Sequence, residues 1–299
     1  MDSARVTLTG TGTPEQTPHR AGPGTLISLG GCHLQFDFGR ASVLRLAEAG
    51  VRCDQINAAF ITHHHSDHLV GFGDYLITRW IQAQQEAVVV VAPDGPASKF
   101  PSKTLAALED DVSVRRLNRR QQDAPDDPPQ IDVRAFPAGS RPVVVWQHKD
   151  IMVSAVAVHH EPVEPAVAYR VDSRHGSVVV SGDTRICQEV EALSRGADVL
   201  VHEVIRGAMA TSRGLGGIVH YHADSFELGA LANRAGVGAL VLTHLVPSPS
   251  TVDEERGFVE DVRAGGWNGP LLVGRDLDIV PIDRDLPTDL HDHRRSLVP

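Results

Sequence analysis

Residues 60–68 read Phe60-Ile61-Thr62-His63-His64-His65-Ser66-Asp67-His68, an apolar strand that runs straight into six residues of which five are His or Asp. Packing gives no reason for that density, because a buried imidazole without a partner is costly. Imidazole nitrogen and carboxylate oxygen are, however, the donors that Zn²⁺, Mn²⁺ and Fe accept. The spacing is H-x-H-x-D-H. His63 and His65 stand two apart, so one side of an extended segment can aim both at a single ion. Asp67 and His68 are adjacent where a helix is expected to begin, and can turn toward a second ion.

Outward from this segment, short β-branched runs recur at residues 5–8, 25–29, 33–38, 58–62, 87–92, 151–158, 166–171, 177–181, 199–202 and 239–243. Several are almost wholly apolar, as in Val88-Val89-Val90-Val91, which suits strands covered on both faces. Helical patterns fall between them at about 42–49, 68–83, 98–108, 186–194, 225–235 and 252–264. The mixture predicts an α/β fold. The polar, Pro-rich stretch Asn118–Gln130 reads as a surface loop. Residues 1–285 are expected to form one domain and 286–299 a flexible tail, whose final Leu297-Val298-Pro299 resembles the start of a protease-cleavable tag.

The chain has 299 residues and a formal charge of −10, which argues against a broad basic face for nucleic acid. Three cysteines without metal-finger spacing argue against a disulfide framework. No apolar run approaches the roughly 18–20 residues that span a bilayer. The expectation is a soluble, cytoplasmic protein with no membrane partner.

The H-x-H-x-D-H segment resembles the metallo-β-lactamase fold superfamily, and the likeness runs over nearly the whole chain. Thr9–Pro14, Arg20–Pro23 and Asp37–Arg40 look like its opening motifs; Val158–Pro162, Ser181–Thr184 and Leu242–Leu245 look like its later ligand motifs. The nearest likeness is to the branch of ribonuclease Z and the zinc-dependent arylsulfatases. The resemblance implies an αββα sandwich, two mixed sheets flanked by helices. It implies two divalent metal ions, zinc first with Mn or Fe as alternatives. One would sit on His63, His65 and His160, the other on Asp67, His68 and His244, with Asp183 bridging. His160 is preferred over its neighbour His159, and His64 is expected to point away. Each later ligand also sits just beyond an apolar strand, where α/β folds collect their sites.

Such a centre would attract an anionic ester and cleave it with a metal-bridging hydroxide. Tyr221–Ser225 resembles the family motif that supplies the leaving-group proton, making His222 the candidate acid with His220 as alternative. Glu203 matches the carboxylate that would orient His222. Asp67, His222 and Glu203 are thus the catalytic candidates. Asp37-x-Gly39-Arg40 and Thr78-Arg79-Trp80 look nearer the arylsulfatases; Trp80 and Phe72 could stack on an aryl group, although core packing is the favoured role of each. Only 23 positions separate His160 from Asp183, where a tRNA-gripping arm would be inserted. The first expectation is therefore a hydrolase of a small aryl sulfate or phosphodiester, with tRNA discounted as a partner. The alternatives are a tRNA 3′-end endonuclease of the ribonuclease Z type and a noncatalytic metal-binding protein. Relatives of this kind are often dimers, so the resemblance admits a homodimer, but nothing in the sequence fixes a symmetry.

Overall fold

The structure is a computed structural model that describes residues 4–82, 86–282, 286–288 and 290; the Leu297–Pro299 end lies outside them. Strands β1 (Arg5–Gly10), β2 (Gly24–Leu29) and β3 (Cys32–Phe36) lead into helix α1 (Ser42–Glu48) and β4 (Ile56–Phe60). Then follow α2 (Phe72–Ile81), β5 (Val88–Pro93), α3 (Pro96–Ala107), α4 (Glu109–Gln121), β6 (Ile131–Phe136), β7 (Val143–His148), β8 (Ile151–Val158), β9 (Ala166–Ser173) and β10 (Gly176–Val180). The chain continues through α5 (Gln188–Ser194), β11 (Val199–Ile205), α6 (Gly207–Ser212), α7 (Ser225–Ala235), β12 (Ala239–Val246), α8 (Val252–Ala264), β13 (Leu271–Val273) and β14 (Ile279–Pro281).

Among the described residues the strands make two seven-stranded sheets, ordered β14-β1-β2-β3-β4-β5-β6 and β13-β12-β11-β10-β9-β8-β7. Both are mixed in the same way. Pairings from β14 to β3 and from β7 to β10 are antiparallel, whereas those from β3 to β6 and from β10 to β13 are parallel. The sheets face each other across an aromatic core. Phe36 stacks on Phe60 at 4.6 Å between centroids, and Tyr169 and Trp146 meet Phe60 edge-on from the other sheet. Each such ring contributes about 1.5–3 kcal/mol through burial. Helices α1 and α2 cover the outside of the first sheet, and α5, α7 and α8 that of the second. This is the expected αββα sandwich.

Local chemistry explains where the helices stop and start. Asp224 caps α7 by accepting the Phe226 and Glu227 amides, and Gly236 ends it in the left-handed region. The polar stretch from Asn118 is a loop only beyond Gln121. Helix α4 occupies its beginning, with Glu109, Asp110 and Asp111 at its N-terminus and Arg119 and Arg120 at its C-terminus, the charge order that favours a helix. Sequence periodicity also missed β6 and β7, whose sheet-edge position leaves them half exposed and without a clear apolar face. Leu286 and Leu290, within the stretch expected to be a tail, pack against the inter-sheet core.

Candidate metal centre

The C-terminal ends of β4, β8, β10 and β12 meet at one rim of the sandwich, and side chains at or just beyond them converge there. His63, His65, His160 and Asp183 form one cluster and Asp67, His68 and His244 another, with the ligand-type atoms of each within 4.8 Å of one another. Asp183 lies between them. Its Oδ2 is 3.8 Å from His63 Nε2, 3.7 Å from His160 Nε2 and 3.3 Å from His244 Nε2, and its Oδ1 is 3.3 Å from His68 Nε2. Asp67 Oδ2 is 3.3 Å from His244 Nε2 and 3.7 Å from His68 Nε2. The structure therefore brings all seven expected ligand candidates together, from segments as far apart as residues 63 and 244.

Their support is built from the backbone outward. Gly39 lets the loop after β3 press on the His63–His68 turn: a Cβ there would meet Asp67 O at 2.6 Å. Gly10 is equally constrained, since a Cβ would overlap Gly22 O at 1.8 Å, so it is a packing contact between two loops. His244 owes its position to a β-bulge. Glu203 pairs with Thr243 and Val204 with Leu245, so His244 is the unpaired extra residue, with φ +43°, and its side chain is turned into the rim.

The partners of the other imidazole nitrogens fix ring orientation, as they do around metal ligands. Asp37 Oδ2 contacts His68 Nδ1 at 2.7 Å while Asp37 also accepts the Thr62 amide and hydroxyl. Thr62 Oγ1 lies 2.9 Å from His63 Nδ1, and the Tyr221 carbonyl 3.0 Å from His160 Nδ1. Asp37 had been noticed only as part of a motif. An acidic residue closing an apolar strand two positions before Gly39 is the sequence signal for this role, and the structure holds it there at φ +56°. Asp276 was also missed: it accepts the Thr11 and Ala21 amides and Arg45 Nε, fastening the glycine loops.

The cluster has the chemistry of a cation site. His63 Nε2, His68 Nε2 and Asp183 Oδ1 are buried without a hydrogen-bond partner, although imidazole nitrogens and carboxylate oxygens lie 3.3–3.8 Å apart. Donors aimed at one another would pair; donors around a tetrahedral zinc at about 2.0–2.1 Å sit roughly 3.3 Å apart and point at a shared centre. Burial, then the neighbouring His68, pushes His63 well below the usual imidazole range, leaving a neutral ligand. Burial alone would raise the Asp183 carboxyl, but His244 and His68 override it and hold Asp183 well below its usual range. For His68 burial opposes the charge, yet Asp183 and Asp37 drive the imidazole well above its usual range. The carboxylates thus demand positive charge in a closed space, which a divalent ion supplies.

Beside the cluster, Glu203 Oε1 lies 3.1 Å from His222 Nδ1 and accepts the Thr184 and Ala223 amides. Burial would lower His222, but the Glu203 carboxylate outweighs it and holds the imidazole up at about 9. His222 also belongs to a ligand-type group with Asp183 and His244. The remaining candidates lie elsewhere. His159 is turned outward between Glu161 and Glu189, His220 is exposed, and buried His202 contacts the Glu203 carbonyl. Arg40 is exposed and has no ion pair among the described residues. The supposed aryl-binding residues are structural. Arg79 is buried and donates to Cys53 O and Ile56 O. Trp80 lies under Arg119, and Phe72 packs on Phe38 in the core.

The profile of the beta-lactamase superfamily domain matches residues 36–245, and the chain belongs to this metallo-β-lactamase superfamily. Within it the chain sits beside ribonuclease Z. Ribonuclease Z of Mycobacterium bovis is 36% identical over 93% of this chain and 98% of its own length, and that of Mycolicibacterium paratuberculosis is 38% identical over the same shares. Among solved structures, the metallo-β-lactamase fold protein YhfI from Bacillus subtilis superposes with a TM-score of 0.70 at 18% identity, covering 93% of this chain and 99% of that one. The short form of human tRNase Z gives 0.66 at 18% identity with the same coverage, a likeness of fold. The chain is a metal-dependent hydrolase of this fold.

The discounting of tRNA does not survive these findings. The interval from His160 to Asp183 is the short β9–β10 hairpin, as its length requires. Yet the ribonuclease Z relatives are spanned over 98% of their own length, so little remains in them for a separate arm that this chain would lack. Whole-chain charge was equally uninformative, because it averages over surfaces far from the rim. Nothing in the relatives or in the placement of Arg79 and Trp80 supports the arylsulfatase reading.

Proposed function

We propose that the protein is a phosphodiesterase of the ribonuclease Z kind, cleaving precursor tRNA at its 3′ end in the cytoplasm. Its identity of 36–38% to proteins named ribonuclease Z, along 93% of the chain, carries this reading. The geometry supports it with a complete set of groups. His63, His65 and His160 would hold one ion, Asp67, His68 and His244 a second, and Asp183 both. Zinc suits this nitrogen-rich set, though ligand type alone also admits Mn²⁺ or Fe. Two such ions supply activation of water and neutralisation of phosphate charge.

The chain's own residues do the rest. His222, held by Glu203 through Nδ1, has Nε2 free to present a proton to the departing ribose oxygen. Glu203 keeps that imidazole charged and fixes its plane. The test is cleavage of a 3′-extended tRNA by metal-loaded protein, run beside an aryl sulfate and a bis-aryl phosphate. Precise release of the 3′ trailer is expected. Fully metallated protein that leaves the precursor intact would refute the proposal.

A further inference from the structure

Glu203 uses only one of its two oxygens in the contacts described above. Oε1 gathers the His222 imidazole and two amides, while Oε2 is buried without a hydrogen-bond partner. A second orphan lies nearby: His244 Nδ1, on a ring that is 3% exposed and whose Nε2 faces Asp67 and Asp183. Both residues line the same small cavity beneath the rim, of about 20 Å³, together with Asp37, His68, Ser181 and Thr243. A cavity of roughly 10–15 Å³ on this measure is enough for one water if polar partners surround it. The rings of His222 and His244 are near parallel, 22° apart in plane, with centroids separated by 5.6 Å. Glu203 Oε2 and His244 Nδ1 make no hydrogen bond to each other, so Glu203 does not hold both imidazoles directly.

We infer that a buried water in this cavity links Glu203 Oε2 to His244 Nδ1, making Glu203 a positioning residue for the metal centre as well as for His222. When His244 ligates through Nε2, Nδ1 carries the proton and needs an acceptor. The water accepts from Nδ1–H and donates to Glu203 Oε2, satisfying both orphans. One carboxylate then orients the proton donor with one oxygen and a metal ligand with the other. This rests on the metal-centre reading of His244, and the experiment separates the two.

A crystal structure of the zinc-loaded protein at about 1.5 Å should show a water within hydrogen-bond distance of both atoms. In chelator competition, Glu203→Gln should weaken the less tightly held ion by about tenfold, the low end of what losing an outer partner of a metal ligand costs. Glu191→Gln, the same change made on a surface carboxylate that pairs with Arg234, should leave ion affinity within about twofold, the scatter ordinary for a surface substitution. A dry cavity, or equal affinities for the two variants, overturns the inference while the metal centre stands. Wild-type protein that binds no divalent ion overturns the metal centre itself, and this inference with it.

Discussion

Asp183 is the carboxylate on which both ligand clusters converge, and Asp183→Asn tests this most sharply because the amide keeps the size while removing the charge. The Asp183 oxygens lie 3.3–3.8 Å from Nε2 of His63, His68, His160 and His244, so any cation these nitrogens share is within similar reach. At an effective dielectric of about 20, unit charges about 4 Å apart interact by roughly 4 kcal/mol. At about 1.4 kcal/mol per tenfold, that is close to 10³-fold in affinity. Elemental analysis after dialysis against a weak chelator should find at least one ion fewer per chain. Turnover of a 3′-extended tRNA should fall by 10³-fold or more, on the same roughly 4 kcal/mol basis. Circular dichroism should be unchanged. If the variant keeps its full metal content with affinity within tenfold of wild type, Asp183 is not shared between the ions and the arrangement argued here is wrong.

Other expectations concern chemistry and stability. His222→Ala should slow a substrate with a ribose leaving group by 10²-fold or more, the ordinary contribution of a proton donor, while barely affecting a nitrophenolate ester; equal losses on both would remove His222 from that role. Tyr169→Phe leaves the buried Ile61 carbonyl, 2.7 Å from the hydroxyl, without that donor. Urea unfolding should show about 1–3 kcal/mol lost, and a change below about 0.3 would mean that the bond is dispensable. Phe60→Ala, at the centre of the aromatic core, should cost about 3–5 kcal/mol in the same assay. Burial raises Cys32 to about 11 and Cys53 to about 12, and Cys187 is raised less. At pH 8 a thiol reagent should therefore find at most Cys187 in the folded chain, and rapid labelling of all three would contradict the buried placement.

The site was far more legible in the sequence than its surroundings. Metal ligands must be particular residue types at strand ends, so His63–His68, His160, Asp183 and His244 stand out even when separated by most of the chain. The groups that hold them are less restricted. A carbonyl, such as that of Tyr221, has no signature in residue type, and Asp37 or Asp276 looks like any turn aspartate until folding shows its partners. The helical reading of 68–83 failed at its start because Ser66–His68 forms a tighter 3-10 turn and α2 begins only at Phe72. Substrate was the hardest to read. Trp80 and Arg79 look like ligand-binding residues in a one-dimensional view, but each is consumed by the packing of α2 against its neighbours.

The division of the ligands between the two sheets has a consequence for how the protein matures. His63, His65, Asp67 and His68 follow β4 of one layer, whereas His160 and Asp183 follow β8 and β10 of the other and His244 lies on its β12. Neither half of the polypeptide owns a finished socket, and the last ligand arrives more than four-fifths of the way along the chain. A ribosome-bound nascent chain can therefore offer only a partial grip on an ion, and acquisition must wait until the layers have closed. Divalent ions seated there would act as rivets across the seam, and chelation would then loosen the two layers from each other before unravelling either one.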